Sequence, residues 1–169
     1  MVMRRSWGAN GPLCAAALVL SLGIVAATPA GAAGGAFAVF AGSWRGDGEI
    51  TGSNGVRERI RCRADYSVSD QGAAMSQTIV CASPSYRMDI HSHVEARGDN
   101  VSGDWSESTR GVSGQLTGHI VSGRFEGGVE GPSFTAGISL ISNGHGQSVS
   151  IAPSGGDIAD VRIELYRQG

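Results

Sequence analysis

The sequence has no lysine, and arginine supplies all 13 of its basic residues. Against 15 acidic residues this gives a net charge of −2, which argues against a polyanion-binding surface, so no nucleic-acid partner is expected. Only three cysteines are present, too few for a cysteine-rich zinc or disulfide scaffold. No motif requires a cofactor, and we expect none. Abundant Arg, Gly and Ala without Lys is typical of a GC-rich bacterial genome.

Long apolar runs are missing after residue 32, so no transmembrane span is expected in the mature chain. Before that point, Arg4 and Arg5 precede an apolar run over residues 13–28 and the small-residue pattern Ala30-Gly31-Ala32. This order predicts a signal peptide over residues 1–32, cleaved near Ala32. Both the general and the twin-arginine export routes stay open.

Export predicts a bacterial periplasmic or secreted protein. The remaining 137 of the 169 residues suit one domain with its own core. We expect a flexible segment over residues 33–40 and a single domain over residues 41–169.

Alternation of polar and apolar residues with period two runs through nearly the whole domain and stops at Gly, Asn, Pro or Ser clusters. The sequence also holds 27 glycines, well above the usual share of about 7%. A long meander tends to close, because closure removes exposed strand edges. We predict an all-β fold, an antiparallel up-and-down meander of about eight to ten strands closed into a barrel. The predicted strands are 42–52, 56–68, 74–82, 85–95, 100–107, 110–119, 121–129, 133–142, 146–152 and 159–168.

Two cysteines follow the predicted cleavage site, Cys62 and Cys81, and an oxidising compartment favours a disulfide between them. Both lie in strand-like segments separated by a turn-like Ser-Asp-Gln-Gly. If Cys62 faces Cys81, then Tyr66 faces Gln77 and a six-residue loop remains. A Cys62–Cys81 disulfide therefore predicts that the two strand-like segments form a hairpin.

A stripe of four arginines lies on one side of the second predicted strand, at positions 57, 59, 61 and 63. Ser53-Asn54-Gly55 suits a three-residue hairpin loop with Gly in the left-handed region. That register places Glu49 opposite Arg59 and Asp47 opposite Arg61. We interpret the stripe as a solvated ion-pair ladder, with anion binding as the alternative.

Three segments share the order apolar, Ser, Gly, polar, apolar, with their glycines at 103, 114 and 123. These glycines either let a coiled strand turn a barrel corner or leave interior space for a ligand. The first interpretation is favoured.

Asp89, His91 and His93 share one side of a predicted strand, and imidazole with carboxylate is a workable zinc or copper ligand set. Their face is the outer one, and no fourth ligand is defined by spacing. They are weak metal candidates, and we expect no metal site.

Catalytic motifs are missing. No Ser lies in a Gly-x-Ser-x-Gly turn, and no glycine-rich phosphate loop precedes a helix. The sequence favours a non-enzymatic protein, although a site assembled from distant strands stays open.

Gly42-Ser43-Trp44 resembles the Gly-x-Trp signature on the first strand of lipocalins and other calycins. The resemblance implies a β-barrel in which an Arg of the last strand packs on this Trp, and Arg167 occupies that place. The chain also resembles small exported proteins of alphaproteobacteria, which implies no activity. In its early Gly-x-Trp and single disulfide it is similar to the periplasmic metalloprotease-inhibitor barrels. That similarity implies that residues 33–40 could enter a protease cleft.

The leading hypothesis is an exported, non-enzymatic barrel that binds a small apolar or amphipathic ligand. The alternatives are a periplasmic protease inhibitor with a protease as its partner, and a structural or cell-envelope protein with a filled core. Alternation places the expected ligand lining on the apolar face. It consists of Trp44, Ile50, Tyr66, Met88, Trp105, Leu116, Phe125, Phe134 and Ile138.

Overall fold

Residues 34–169 are described by the computed structural model, and the predicted signal peptide lies outside them. Two short 3-10 turns, Ala38–Phe40 and Asp70–Gly72, accompany ten strands. Between residues 34 and 169 no helix is long and apolar enough to cross a membrane. The strands are β1 (Gly42–Gly52), β2 (Arg57–Ser69), β3 (Ala74–Ala82), β4 (Arg87–Arg97), β5 (Asn100–Glu107), β6 (Val112–Val121), β7 (Arg124–Glu130), β8 (Thr135–Ser142), β9 (Gly146–Ser154) and β10 (Ile158–Arg167).

Every strand pairs antiparallel with the next, and β10 pairs with β1 to close the barrel. The predicted all-β meander is confirmed, with ten strands, the upper end of the expected range. Short loops make this order favourable, since each hairpin forms from residues close in sequence and closure leaves no sheet edge unpaired.

The β2–β3 hairpin has the predicted register. Cys62 lies opposite Cys81 and forms the disulfide, and Tyr66 lies opposite Gln77. Pairing continues one step further than expected, to Ser69 and Ala74, so the loop has four residues. This tight loop uses the 3-10 turn and a positive φ of 92° at Gly72, a conformation that glycine adopts without steric cost.

The β1–β2 hairpin also has the predicted register, with Glu49 opposite Arg59 and Asp47 opposite Arg61. The ion pairs follow it only in part. Asp47 lies 4.0 Å from Arg61, whereas Glu49 pairs diagonally with Arg57 at 3.6 Å. Long arginine side chains reach diagonal neighbours easily, and the exposure of these pairs limits each to less than about 1 kcal/mol.

The two ends of the barrel differ. At one end, the closed end, residues 34–41 cross beneath the strands, and the N–H groups of Gly35 and Phe37 donate to Gln71 and Gly72 carbonyls at 3.0 Å. Phe37 and Phe40 are 2% and 1% exposed and belong to the core. We expected a flexible segment here, and the structure instead seats it as a floor because its two phenyl rings gain burial inside the barrel. The other end, the open end, carries the loops after β1, β3, β5, β7 and β9.

Glycines mark the places where strands bend sharply. A Cβ at Gly46, Gly103 or Gly114 would overlap a carbonyl oxygen of the neighbouring strand. This close backbone approach supports the strand-bending interpretation of Gly103 and Gly114. The third glycine of the repeated segments, Gly123, lies instead in the β6–β7 turn, with a φ of 77°.

Candidate functional site

A cavity of about 690 Å³ occupies the barrel interior. Its floor is formed by Phe37 and Phe40 at the closed end. Its mouth lies among open-end loop residues, including Tyr86, Phe134 and Asp157. The interior is therefore hollow along one continuous path from floor to mouth.

The cavity is off centre. Strands β3 to β9 supply most of its wall, whereas the inner face of β1 supplies none. On the β1 side, Ile60, Cys62, Ile163 and Leu165 are buried members of the packed core and do not line the cavity. The packed side stabilises the closure of the sheet, and the hollow side leaves room for another molecule.

Seven of the nine side chains predicted to line a ligand site do line this cavity: Tyr66, Met88, Trp105, Leu116, Phe125, Phe134 and Ile138. The structure places the other two, Trp44 and Ile50, in packed core, where they are 0% and 1% exposed. Both point inward as alternation predicts. Neighbouring side chains cover them, so they do not reach the empty space.

Trp44 has a closing function at the base of the barrel. Its indole Nε1 donates to the Phe40 carbonyl at 2.8 Å, and the guanidinium carbon of Arg167 lies 4.5 Å from the ring centroid. Arg167 also donates to the carbonyls of Gly144 at 2.5 Å, of Val39 at 2.9 Å and of Ala41. This is the Arg-on-Trp contact that the calycin resemblance implies, and it ties the last strand to the first strand and to the floor.

Sequence patterns missed the floor and much of the wall between β8 and β9. Phe37 and Phe40 precede the first alternating segment, and only their aromatic character, rare in this chain, could have indicated burial. Leu140, Val149 and Ile151 line the cavity and do follow alternation. Alternation places these three residues on the inner face, but it does not show that they line a cavity.

Polar groups inside the cavity are few. Tyr66 and Gln77 line the wall on adjacent strands, β2 and β3. Burial raises the pKa of the Tyr66 hydroxyl above its ordinary value, because the phenolate would be poorly solvated there. Tyr66 is thus a neutral hydrogen-bonding group at physiological pH.

The charged lining residues lie at the mouth: Glu107, Arg110 and Asp157. Glu107 is 6% exposed and accepts hydrogen bonds from the backbone N–H groups of Asp89 at 3.1 Å, of Thr109 at 3.0 Å and of Arg110 at 2.9 Å. The Thr109 hydroxyl donates to the same carboxylate, and the Arg110 guanidinium lies 3.5 Å away.

Glu107 is a structural anion rather than an acid–base group. Burial by itself would raise its pKa, but the hydrogen bonds from Thr109 and the three N–H groups outweigh burial and lower the pKa to about 2. A carboxylate with so low a pKa, already surrounded by donors, is a weak general base at neutral pH. Its geometry instead holds the β5–β6 loop and places Arg110 at the mouth.

An aromatic pair lies beside the mouth. The Trp105 and Phe134 ring centroids are 5.6 Å apart, and the Trp105 Nε1 donates to the Glu130 carbonyl at 3.2 Å. Because its polar atom is satisfied, the indole presents an apolar face to the cavity.

Asp89, His91 and His93 lie on the outer face of β4, away from the cavity. Asp89 is 3.2 Å from the Nε2 of His91, while His91 and His93 contact the hydroxyls of Thr78 and Ser76 through Nδ1 at 3.2 and 3.0 Å. Within residues 34–169, no three His, Cys, Asp or Glu side chains converge to hold a metal ion. The three predicted candidates share a face without forming one site.

No family model matches the chain, and no curated protein matches it significantly. Among solved structures, it is similar to the crystal structure of Rv2717c from M. tuberculosis, with a TM-score of 0.64 and 15% identity. The match covers 79% of this chain and 96% of that chain. At this identity the likeness concerns the fold alone.

Proposed function

We propose that the chain is an exported, non-enzymatic β-barrel that binds a small apolar or amphipathic molecule in its interior. The cavity carries this proposal. Its volume of about 690 Å³ falls within the range of about 300–1,000 Å³ that is usual for small-molecule sites, and its wall is mostly apolar.

The distribution of charge suits an amphipathic ligand that enters with its apolar end first. Arg110, Glu107 and Asp157 surround the mouth, whereas phenyl rings form the floor. A charged head group at the mouth would stay partly hydrated, and an apolar tail would displace water from the interior. The wall is therefore suited to van der Waals and hydrophobic contact with a ligand rather than to catalysis of a reaction.

Each of the two alternative functions meets an opposing observation. A filled-core structural protein does not require a hollow of this size. A protease inhibitor of the trunk type requires residues 34–40 to project, but Phe37 and Phe40 are packed in the core. If this segment is a floor, its deletion should lower the thermal transition, whereas deletion of a projecting trunk should leave the transition unchanged.

Export is supported by the Cys62–Cys81 disulfide, because such bonds persist in oxidising compartments. The predicted signal peptide over residues 1–32 would deliver the chain there. Export is tested by fractionation of cells that produce the full-length protein. Cleavage of the signal peptide is tested by mass spectrometry of the N-terminus of the mature protein.

Ligand binding is tested with N-phenyl-1-naphthylamine, a neutral dye whose fluorescence rises in apolar surroundings. Ala136 lines the cavity and is buried, while its neighbour Thr135 is exposed on the outer face. Ala136→Phe should weaken dye binding about tenfold, since overpacking commonly costs about 1–3 kcal/mol. Thr135→Phe adds the same side chain outside and should leave binding unchanged.

Thermal unfolding of both variants separates loss of the site from loss of the fold. If Ala136→Phe does not fold, Ile138→Phe offers a second position on the same wall. Absence of any dye binding by the wild-type protein, or equal binding by Ala136→Phe and Thr135→Phe, would contradict the proposed site.

A further inference from the structure

Three polar side chains lie side by side on the inner face of neighbouring strands, and two of them, Tyr66 and Gln77, line the cavity. Tyr66 on β2 lies opposite Gln77 on β3, and Gln77 lies opposite Ser92 on β4. Ile90 and Val94, which flank Ser92 on the same face, both line the cavity, whereas Ser92 is not one of the lining residues. Side chains directly opposite on antiparallel strands have Cβ atoms about 4.5–5.5 Å apart. The three residues, here called the polar strip, are therefore lateral neighbours on the inner face.

The polar strip has unused hydrogen-bonding capacity. Ser92 is 8% exposed, and its hydroxyl has no hydrogen-bond partner among the described residues. Tyr66 is 5% exposed, and burial raises the pKa of its hydroxyl, so it stays a neutral hydrogen-bonding group. Buried polar groups are normally satisfied, so the unpartnered Ser92 hydroxyl, next to Gln77 on the cavity wall, indicates a partner that is not part of the chain.

The polar strip is also uncharged. Tyr66 stays protonated, and Gln77 and Ser92 carry no ionisable group. The charged lining residues are those of the mouth, Glu107, Arg110 and Asp157. A carboxylate or ammonium group at the strip would lose its hydration without gaining a counter-charge, which is costly.

We infer that the polar strip is a subsite that hydrogen-bonds a neutral oxygen-bearing group, a carbonyl or a hydroxyl, of the molecule bound in the barrel. This inference rests on the proposed ligand-binding function and narrows it to neutral ketones, quinone-like compounds or alcohols. The Tyr66 hydroxyl and the Gln77 amide donate to a ligand carbonyl, or accept from a ligand hydroxyl, while apolar residues contact the hydrocarbon framework.

Three probes that share a tricyclic framework test the subsite: fluorene, 9-fluorenone and fluorene-9-carboxylate. Each is titrated against the bound naphthylamine dye. The wild-type protein should bind 9-fluorenone about five- to tenfold more tightly than fluorene, the gain expected for one or two net hydrogen bonds. It should bind the carboxylate at least about tenfold more weakly than the ketone, because a buried anion is disfavoured.

Variants assign the preference to the polar strip. Tyr66→Phe, Gln77→Leu and Ser92→Ala combined should bring the affinities for the ketone and fluorene within about twofold of each other, since the donors are gone. The affinity for fluorene should hardly change. Because the Ser92 hydroxyl has no hydrogen-bond partner among the described residues, Ser92→Ala alone should unfold at the wild-type temperature or above. Ser67→Ala, on the exposed face next to Tyr66, is the matched control.

The outcomes separate the subsite from the proposed function. Dye binding with equal affinity for fluorene and 9-fluorenone, as expected if the strip only orders water, overturns the subsite and leaves the binding function standing. A ketone preference that survives in the combined variant, or a carboxylate that binds most tightly, also overturns the subsite. Failure of the dye and of all three probes to bind overturns the proposed function itself.

Discussion

Glu107→Gln tests whether the buried carboxylate at the mouth stabilises the barrel as an anion. The substitution preserves shape but replaces one carboxylate oxygen with an NH₂ group. One oxygen of Glu107 accepts from the N–H groups of Asp89 and Thr109, and the other accepts from the N–H of Arg110. The amide of glutamine can satisfy only one of these two sets, and its NH₂ group would oppose a donor on the other side.

The magnitude follows from the depressed pKa. Folding lowers the pKa of Glu107 from about 4.3 in an unfolded chain to about 2, which corresponds to about 3 kcal/mol of stability. Since the folded pKa is the lower one, this stability is fully present above about pH 5. It is lost as the pH falls through about 4 toward about 2. Glu107→Gln should therefore lower the free energy of unfolding by about 3 kcal/mol at pH 7, and its difference from wild type should nearly vanish at pH 2.

Urea unfolding, followed by tryptophan fluorescence between pH 7 and pH 2, measures both quantities. Glu126→Gln is the control, because Glu126 is exposed and pairs only with the surface groups of Arg124 and Ser139. It should change the stability by less than about 1 kcal/mol. The reasoning is refuted if Glu107→Gln costs less than about 1 kcal/mol at pH 7, or if its deficit is the same at pH 7 and pH 2.

Three further predictions concern closure and strand geometry, and each is measured by urea unfolding. Arg167→Lys should cost about 2 kcal/mol, since an ammonium cannot reproduce the planar donor set over the indole, and a variant as stable as wild type would contradict this. Replacing Cys62 and Cys81 with alanine should cost about 3 kcal/mol on the chain-entropy model, and no loss would show that the unfolded chain is already restricted. Gly46→Ala should destabilise by about 2 kcal/mol or more because its Cβ overlaps a neighbouring carbonyl, whereas Gly137→Ala, with open space around its Cβ, should be neutral or slightly stabilising. Equal effects of the two glycine substitutions would argue against the close backbone approach of β1 and β10 at Gly46.

Much of the fold could be predicted because its main determinants are local. Period-two alternation assigns each residue to a face, and short turn-rich loops make successive strands neighbours. The cysteine pair indicated one hairpin register, and Ser53-Asn54-Gly55 indicated another, both of which are confirmed. Ion-pair geometry was less predictable, since Glu49 turned to Arg57 instead of Arg59, and the choice between two reachable partners depends on side-chain rotamers.

For the candidate site, the sequence predicted which residues point inward but not which of them contact the cavity. Trp105, Leu116 and Ile138 line the cavity, as alternation suggested. Trp44 and Ile50 also point inward by alternation, but they are packed in the core. Alternation also points Glu107 inward. The backbone N–H groups that stabilise its negative charge surround it only when β4, β5 and the β5–β6 loop assemble.

The sequence by itself determined the strand order, the registers of two hairpins and the inner face, because these depend on neighbours a few residues apart. The tertiary structure alone decided where that inner face meets empty space. Whether an inward side chain packs or lines a cavity depends on what reaches it across the barrel and from below. The floor of Phe37 and Phe40, the filled β1 side and the buried, unpartnered Ser92 hydroxyl all depend on residues distant in sequence, which local periodicity does not encode.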